Sequence, residues 1–199
     1  MRSPSNVIAY AGTSVRGVEL THPDWLDPAA LASVDPGDPV AAMTVAVGLA
    51  RENVARGTGG PFGAIVTAGD GRVVGAGVNV VVARRSSLAH AEVMALLDAQ
   101  SRAGTARLNA NPGGPFTLVT SAQPCVMCFG AAFWAGLDEL VAGARAEDVE
   151  ALAGFDEGPL PADWAAQLAV RGIGVTADVL RQEACAVLRR YAQSDGVRY

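Results

Sequence analysis

Two β-rich runs, FGAIVTA and RVVGAGVNVVV, flank Gly69-Asp70-Gly71, and an Asp-Gly turn between such runs commits residues 62–82 to a hairpin. What surrounds the hairpin reads as alternating helices and strands. PVAAMTVAVGLARENVAR opens with proline and repeats apolar residues at helical spacing, which predicts a helix from Pro39 to about Arg56. After the hairpin come a helix from about Ala89 to Arg102, a loop over 103–115, a short buried strand at FTLVTS, and a helix over CVMCFGAAFWAG introduced by Pro124. DELVAGA then reads as a strand, Arg145 to Ala153 and DWAAQLAV as helices, GIGVTAD as a last strand and VLRQEACAVLRRY as a last helix. A hairpin followed by repeated strand and helix units predicts an α/β fold, a three-layer α/β/α sandwich around a mixed five-stranded sheet. A chain of 199 residues suits one such domain. Residues 1–38, with THPDWLDP and SVDPGDP, are rich in turn-forming Pro and Asp and read as an irregular N-terminal extension to a domain over 39–199.

Charge and cysteine content narrow the function classes. The net charge of −5 offers no general attraction to polyanions, so nucleic acid is an unfavoured partner. Apolar runs are broken by Gly, Pro or charge before about 18 residues, which argues against a membrane span, and MRSPSNVIAY lacks a sustained apolar stretch. Three cysteines, Cys125, Cys128 and Cys185, are too few and too oddly spaced for a disulfide framework. A soluble, cytoplasmic protein is the expectation. Cys185, among alanine and leucine on the last helix, reads as a core thiol, and His22, between Thr21 and Pro23, as a surface residue.

The chemistry concentrates in two short stretches. In SLAHAEVMAL, His90 and Glu92 stand at the start of an otherwise apolar helix; in SAQPCVMCFG, Cys125 and Cys128 stand at i and i+3 in the first turn of a helix that Pro124 starts. A lone histidine is usually a satisfied core residue, and a lone C-x-x-C can be redox-active, structural or buried. Together they form the H-x-E…P-C-x-x-C signature of zinc deaminases. One imidazole and two thiolates leave the fourth tetrahedral position for water, which separates a catalytic Zn2+ from a structural one. Two thiolates also neutralise the ion formally, leaving Glu92 free to move protons instead of ligating.

On these motifs the chain resembles the cytidine deaminase superfamily over about residues 39–199. GGPFGAIV (59–66), GAGVN (75–79), AHAEVMAL (89–96), PCVMCFGAAFWA (124–135) and GFDE (154–157) are similar, in order, to the bacterial guanine deaminase branch. The resemblance implies hydrolytic deamination of a free base, most simply guanine, with one zinc per subunit on His90, Cys125 and Cys128 and with Glu92 as the catalytic proton carrier. It also implies substrate contacts: Phe62 stacking on the base, the backbones of Gly63, Ala64 and Ala89, the Asn79 amide, Trp134 in the pocket wall, Asp156 and Glu157 at the purine edge, and a terminal Tyr199 closing the site. It further implies a homodimer, in some relatives with a swapped C-terminal segment. Two departures lie beside these motifs: Arg85-Ser86-Ser87-Leu88 stands where the branch has Asp-Pro-Thr, and Gln123 where it has Glu. Cytosine-like or s-triazine rings such as 5-azacytosine and ammeline are therefore an alternative substrate class. A tRNA adenosine deaminase is disfavoured by the net charge.

Overall fold

The structure is a computed structural model and describes residues 20–194 and 196–198. Five strands form one sheet in the order β2-β1-β3-β4-β5: β1 (Gly63–Thr67), β2 (Val73–Val78), β3 (Thr117–Ala122), β4 (Glu139–Ala144) and β5 (Gly174–Thr176). β1 pairs antiparallel with both β2 and β3, whereas β3 with β4 and β4 with β5 run parallel, so the sheet is mixed as the sequence predicts. Alternation along the strands makes the layers. Ile65, Val119 and Val141 face a core shared with α1 (Pro39–Ala55), α5 (Ala146–Ala153) and α7 (Arg181–Ala192). Ala64, Val66, Leu118 and Leu140 face the opposite core with α3 (Ala91–Ala103), α4 (Val126–Ala135) and α6 (Trp164–Ala169).

Small residues let α3 lie directly on β2. A Cβ added at Gly77 would sit against Ala91 O and 2.5 Å from Ala95 N, and one at Gly75 would lie 2.7 Å from Ala99 N. Glycine alternates along the strand while Ala91, Ala95 and Ala99 recur every fourth residue of the helix, so the two backbones meet face to face. This contact places the N-terminus of α3 beside the end of β2. The parallel β3-β4 step then brings the N-terminus of α4 to the same edge.

Three local features differ from the expected ones. The β-run through Val82 ends at Val78, because beyond the Gly63–Val78 pair only the Asn79 N to Phe62 O bond continues the pairing and Val80 N turns to Ala89 O. Residues Val81–Arg84 instead form a helical turn, α2, closed by Arg85 at φ 50. The helices carrying the motifs start one or two residues late: His90 and Cys125, at ψ 154 and ψ 172, are extended N-caps instead of first-turn residues, and Pro124 precedes the helix. The last helix begins at Arg181 instead of Val179, since Asp178 and Leu180 adopt positive φ. His22 lies at the surface as expected but is half-buried there, with its Nδ1 shielded from solvent. Its carbonyl and that of Thr21 receive the Arg84 guanidinium at 3.0 and 2.9 Å. Cys185 is a buried free thiol, as expected.

Candidate active site and metal centre

His90 Nδ1 lies 3.6 Å from Cys125 Sγ and 3.6 Å from Cys128 Sγ, and among the described residues these three alone form a cluster able to hold a metal ion. Zinc bonds of about 2.05 Å to nitrogen and 2.3 Å to sulfur at a tetrahedral angle require an N···S separation of about 3.6 Å. The donor set therefore fits zinc. N-cap placement explains how: an N-cap side chain turns toward its own helix end, so the imidazole of α3 and the Cys125 thiol of α4 converge, and Cys128 joins from one turn on. The positive ends of both helix dipoles point at this cluster and favour thiolates there.

Electrostatics agree with that assembly. Cys125 is drawn down to about 4, chiefly by the hydrogen bond from Cys128, with His90 adding to it, while Cys128 is pushed up because it supplies that proton and is buried beside Glu92. A cation on the site would displace the thiol protons. Burial pulls His90 down, but its Cys125 hydrogen bond and the charges of Glu92, Cys125 and Glu157 outweigh it and leave the imidazole more basic than usual. Glu92, 6% exposed, is raised by burial and by the Cys125 charge. Glu157 is pushed up to about 8 by burial and by the neighbouring Glu92. Two carboxyls that resist ionisation beside a thiol pair are suited to proton transfer.

A cavity of about 90 Å³ opens onto this cluster, lined by Phe62, His90, Glu92, Ala122, Gln123, Cys125, Phe155, Asp156 and Glu157. Phe62 meets Phe155 edge-on at 5.2 Å, and Phe155 stacks on Tyr191 at 5.8 Å. The Glu157 carbonyl accepts from Val126 N at 3.1 Å, tying the 154–158 loop to the first turn of α4. Asp156 reaches the wall, but its carboxylate accepts from Gly158 N at 2.8 Å within its own turn.

Of the other expected site residues, Asn79 is 1% exposed, donates its backbone N–H to Phe62 O at 3.1 Å, and keeps a buried Oδ1 without a hydrogen-bond partner among the described residues. Gly63, Ala64 and Ala89 lie outside the cavity lining: Gly63 N donates to Ser121 Oγ at 3.1 Å, Ala64 is paired within the sheet, and Ala89 O accepts from Val80 N at 2.9 Å. Trp134, expected in the pocket wall, is 69% exposed on α4, because residues six to nine positions beyond the cysteines have left the metal edge by more than a turn. Tyr199 lies outside the described residues. Of the two departures, Gln123 lines the cavity, whereas Arg85 to Leu88 form a turn that leads into Ala89. Sequence reasoning missed Phe155, although its place between Gly154 and Asp156 in the quoted GFDE block was the available signal.

Residues 38–144 match the cytidine and deoxycytidylate deaminase zinc-binding region, and the chain belongs to that family. Its fold and metal centre are those of a zinc-dependent hydrolytic deaminase. A solved guanine deaminase from Nitrosomonas europaea is similar with a TM-score of 0.84 at 43% identity, the match covering 92% of this chain and 100% of that one. Guanine deaminase of Bacillus subtilis (strain 168) is 40% identical over 112 residues, 56% of this chain and 67% of that protein. The tRNA(Ile)-lysidine synthase of Deinococcus deserti is 40% identical over 148 residues; the chain covers 74% of its own length there but 26% of that larger protein.

Proposed function

We propose that the protein is a zinc-dependent aminohydrolase of a free nucleobase, with guanine and water going to xanthine and ammonia. The observation that carries the reading is the His90, Cys125 and Cys128 cluster at tetrahedral spacing, with buried Glu92 beside it in a cavity walled by Phe62. Similarity to the Nitrosomonas enzyme along nearly the whole chain supports guanine over other bases.

Zinc held by these three side chains supplies Lewis-acid activation of a water at neutral pH. The rest of the work falls to the protein. Glu92 takes the water's proton on a carboxylate oxygen and returns it to the departing amino group. Phe62 stacks on the ring, Asn79 Oδ1, which has no hydrogen-bond partner among the described residues, accepts from a ring N–H, and Glu157 holds a proton at the purine edge. The same reading includes a cytoplasmic homodimer. The pairing of two chains is supported by a groove between α3 and α4, lined by Val93, Leu97, Ala131 and Trp134, that leaves Leu97 and Trp134 exposed. Among the described residues no helix is long and apolar enough to cross a membrane.

The test is ammonia release from zinc-replete protein across guanine, guanosine, adenine, cytosine, 5-azacytosine and ammeline. Guanine should dominate. Turnover confined to cytosine or triazine rings would overturn the substrate assignment and point to Gln123, and no turnover of any base would overturn the activity.

A further inference from the structure

Asn53, on the last turn of α1, is 0% exposed, and its side chain is spent entirely on the backbone and loop that flank the cavity. Its Nδ2 donates to Gly60 O at 2.8 Å and to Asn79 O at 2.9 Å, and its Oδ1 accepts from Thr58 Oγ1 at 2.7 Å. Thr58 Oγ1 in turn accepts from Trp25 Nε1 at 3.0 Å. Trp25 belongs to the segment ahead of α1, where Leu26 enters the core and the Arg56 guanidinium covers the indole at 5.6 Å. Backbone bonds complete the knot: Gly60 N donates to Asn79 O at 3.2 Å and Asn79 N to Phe62 O at 3.1 Å. The fit is tight, since a Cβ at Gly59 would collide with Asn79 O and lie 2.8 Å from Asn53 Nδ2.

One buried amide thus joins the strand end carrying Asn79 to the loop carrying Phe62. The β1–β2 ladder ends at Val78, and beyond it the backbone holds Asn79 only through its bonds with Phe62 O and Gly60 N, which the Asn53 amide reinforces. We infer that Asn53 is a positioning residue that sets the register between the Asn79 amide and the Phe62 ring, and that Trp25, through Thr58, extends this clamp to the N-terminal segment. The inference rests on the reading of Asn79 and Phe62 as base-contacting residues. Asn53 touches no reacting atom, so its loss weakens and misorients base binding while the metal cluster and Glu92, on α3 and α4, stay in place.

The experiment is a double-mutant cycle on whichever base the wild-type protein turns over fastest, with zinc content measured in every variant. Asn53→Ala strands the Gly60 carbonyl and takes one of two donors from the Asn79 carbonyl, and should raise KM roughly ten- to a hundredfold with kcat changed far less and zinc unchanged. On an Asn79→Ala background the same substitution should add almost nothing. Thr58→Val, which exchanges the hydroxyl for a methyl, should raise KM by about two- to fivefold, and Trp25→Phe, which removes the N–H together with the pyrrole ring, by at least as much. Effects that multiply on the Asn79→Ala background, or a fall in kcat with KM unchanged, would overturn the inference. Should Asn53→Ala fail to fold, Thr58→Val carries the cycle with the same criteria. A second readout needs no turnover: the Gly60 and Asn79 amides should exchange hydrogen faster in Asn53→Ala or Thr58→Val than in the wild type. Equal exchange overturns the clamp, whereas a wild type inert toward every base, with exchange still accelerated, overturns only the aminohydrolase reading.

Discussion

Gly77→Ala tests whether the metal centre depends on how closely α3 lies on β2. The added Cβ meets Ala91 O and sits 2.5 Å from Ala95 N, about 0.9 Å inside ordinary contact at 3.4 Å. Both are backbone atoms in the body of a helix, so no rotamer change relieves the clash. α3 must lift, and His90, its N-cap, moves with it. Overpacking of this kind costs about 1–3 kcal/mol. At about 2–4 °C per kcal/mol for a domain of this size, Tm should fall by roughly 2–12 °C. A ligand displaced by most of an ångström leaves a tetrahedron that tolerates about 0.2 Å, so bound zinc should drop well below one per chain. Thermal denaturation and metal analysis of the purified variant read both quantities. Gly48→Ala is the control, because its Cβ meets nothing within 4 Å in the middle of α1, and it should hold zinc at wild-type content with Tm equal or higher. Gly77→Ala with wild-type Tm and full zinc would refute the reasoning.

Three further outcomes are expected. Glu92→Gln should keep zinc and fold but lose about 10²- to 10⁴-fold in kcat; near-normal turnover would remove Glu92 from proton transfer. Cys125→Ala should lose zinc and thermal stability together, as should chelation of the wild type, and a stoichiometric ion in the variant would refute the ligand set. Asp148, held at about 2 by Arg181 at 2.6 and 2.8 Å and by Arg145 N, links α5 to α7. Because its folded pKa is depressed, its contribution is present above the ordinary carboxylate pKa near 4 and is lost as pH falls toward 2. Asp148→Asn should therefore cost about 1 kcal/mol at pH 7, and its Tm should converge on the wild-type value near pH 2. A gap that persists unchanged at pH 2 would contradict this.

Much of the fold was legible because each layer has its own periodicity. Alternating strands around an Asp-Gly turn and helices opened by proline predict five strands and the mixed sheet. The metal ligands are legible for a different reason: His90 two places before Glu92, and Cys125 three before Cys128 after a proline, each have other uses alone but together supply a zinc donor set with a proton carrier. Misreadings fell where tertiary partners decide. Val80 to Val82 have strand propensity, but the sheet offers no partner there. Trp134 is aromatic on a metal-bearing helix, yet the helical turn carries it to the outer face. Asn53, an ordinary polar residue near a helix end in the sequence, acquires its role from Gly60 and Asn79, 7 and 26 residues away. The partial burial of His22 is not legible locally, because Arg84, which binds its carbonyl, lies 62 residues on.

Under the proposed function, one zinc on His90, Cys125 and Cys128 makes this chain a guanine aminohydrolase. Stripping the protein of metal and titrating zinc back while following ammonia release from guanine tests it most directly. The account predicts no release without metal and a rate rising linearly to a break at one zinc per chain. Full activity in the stripped protein, or a zinc-saturated protein that releases no ammonia from guanine, would contradict it.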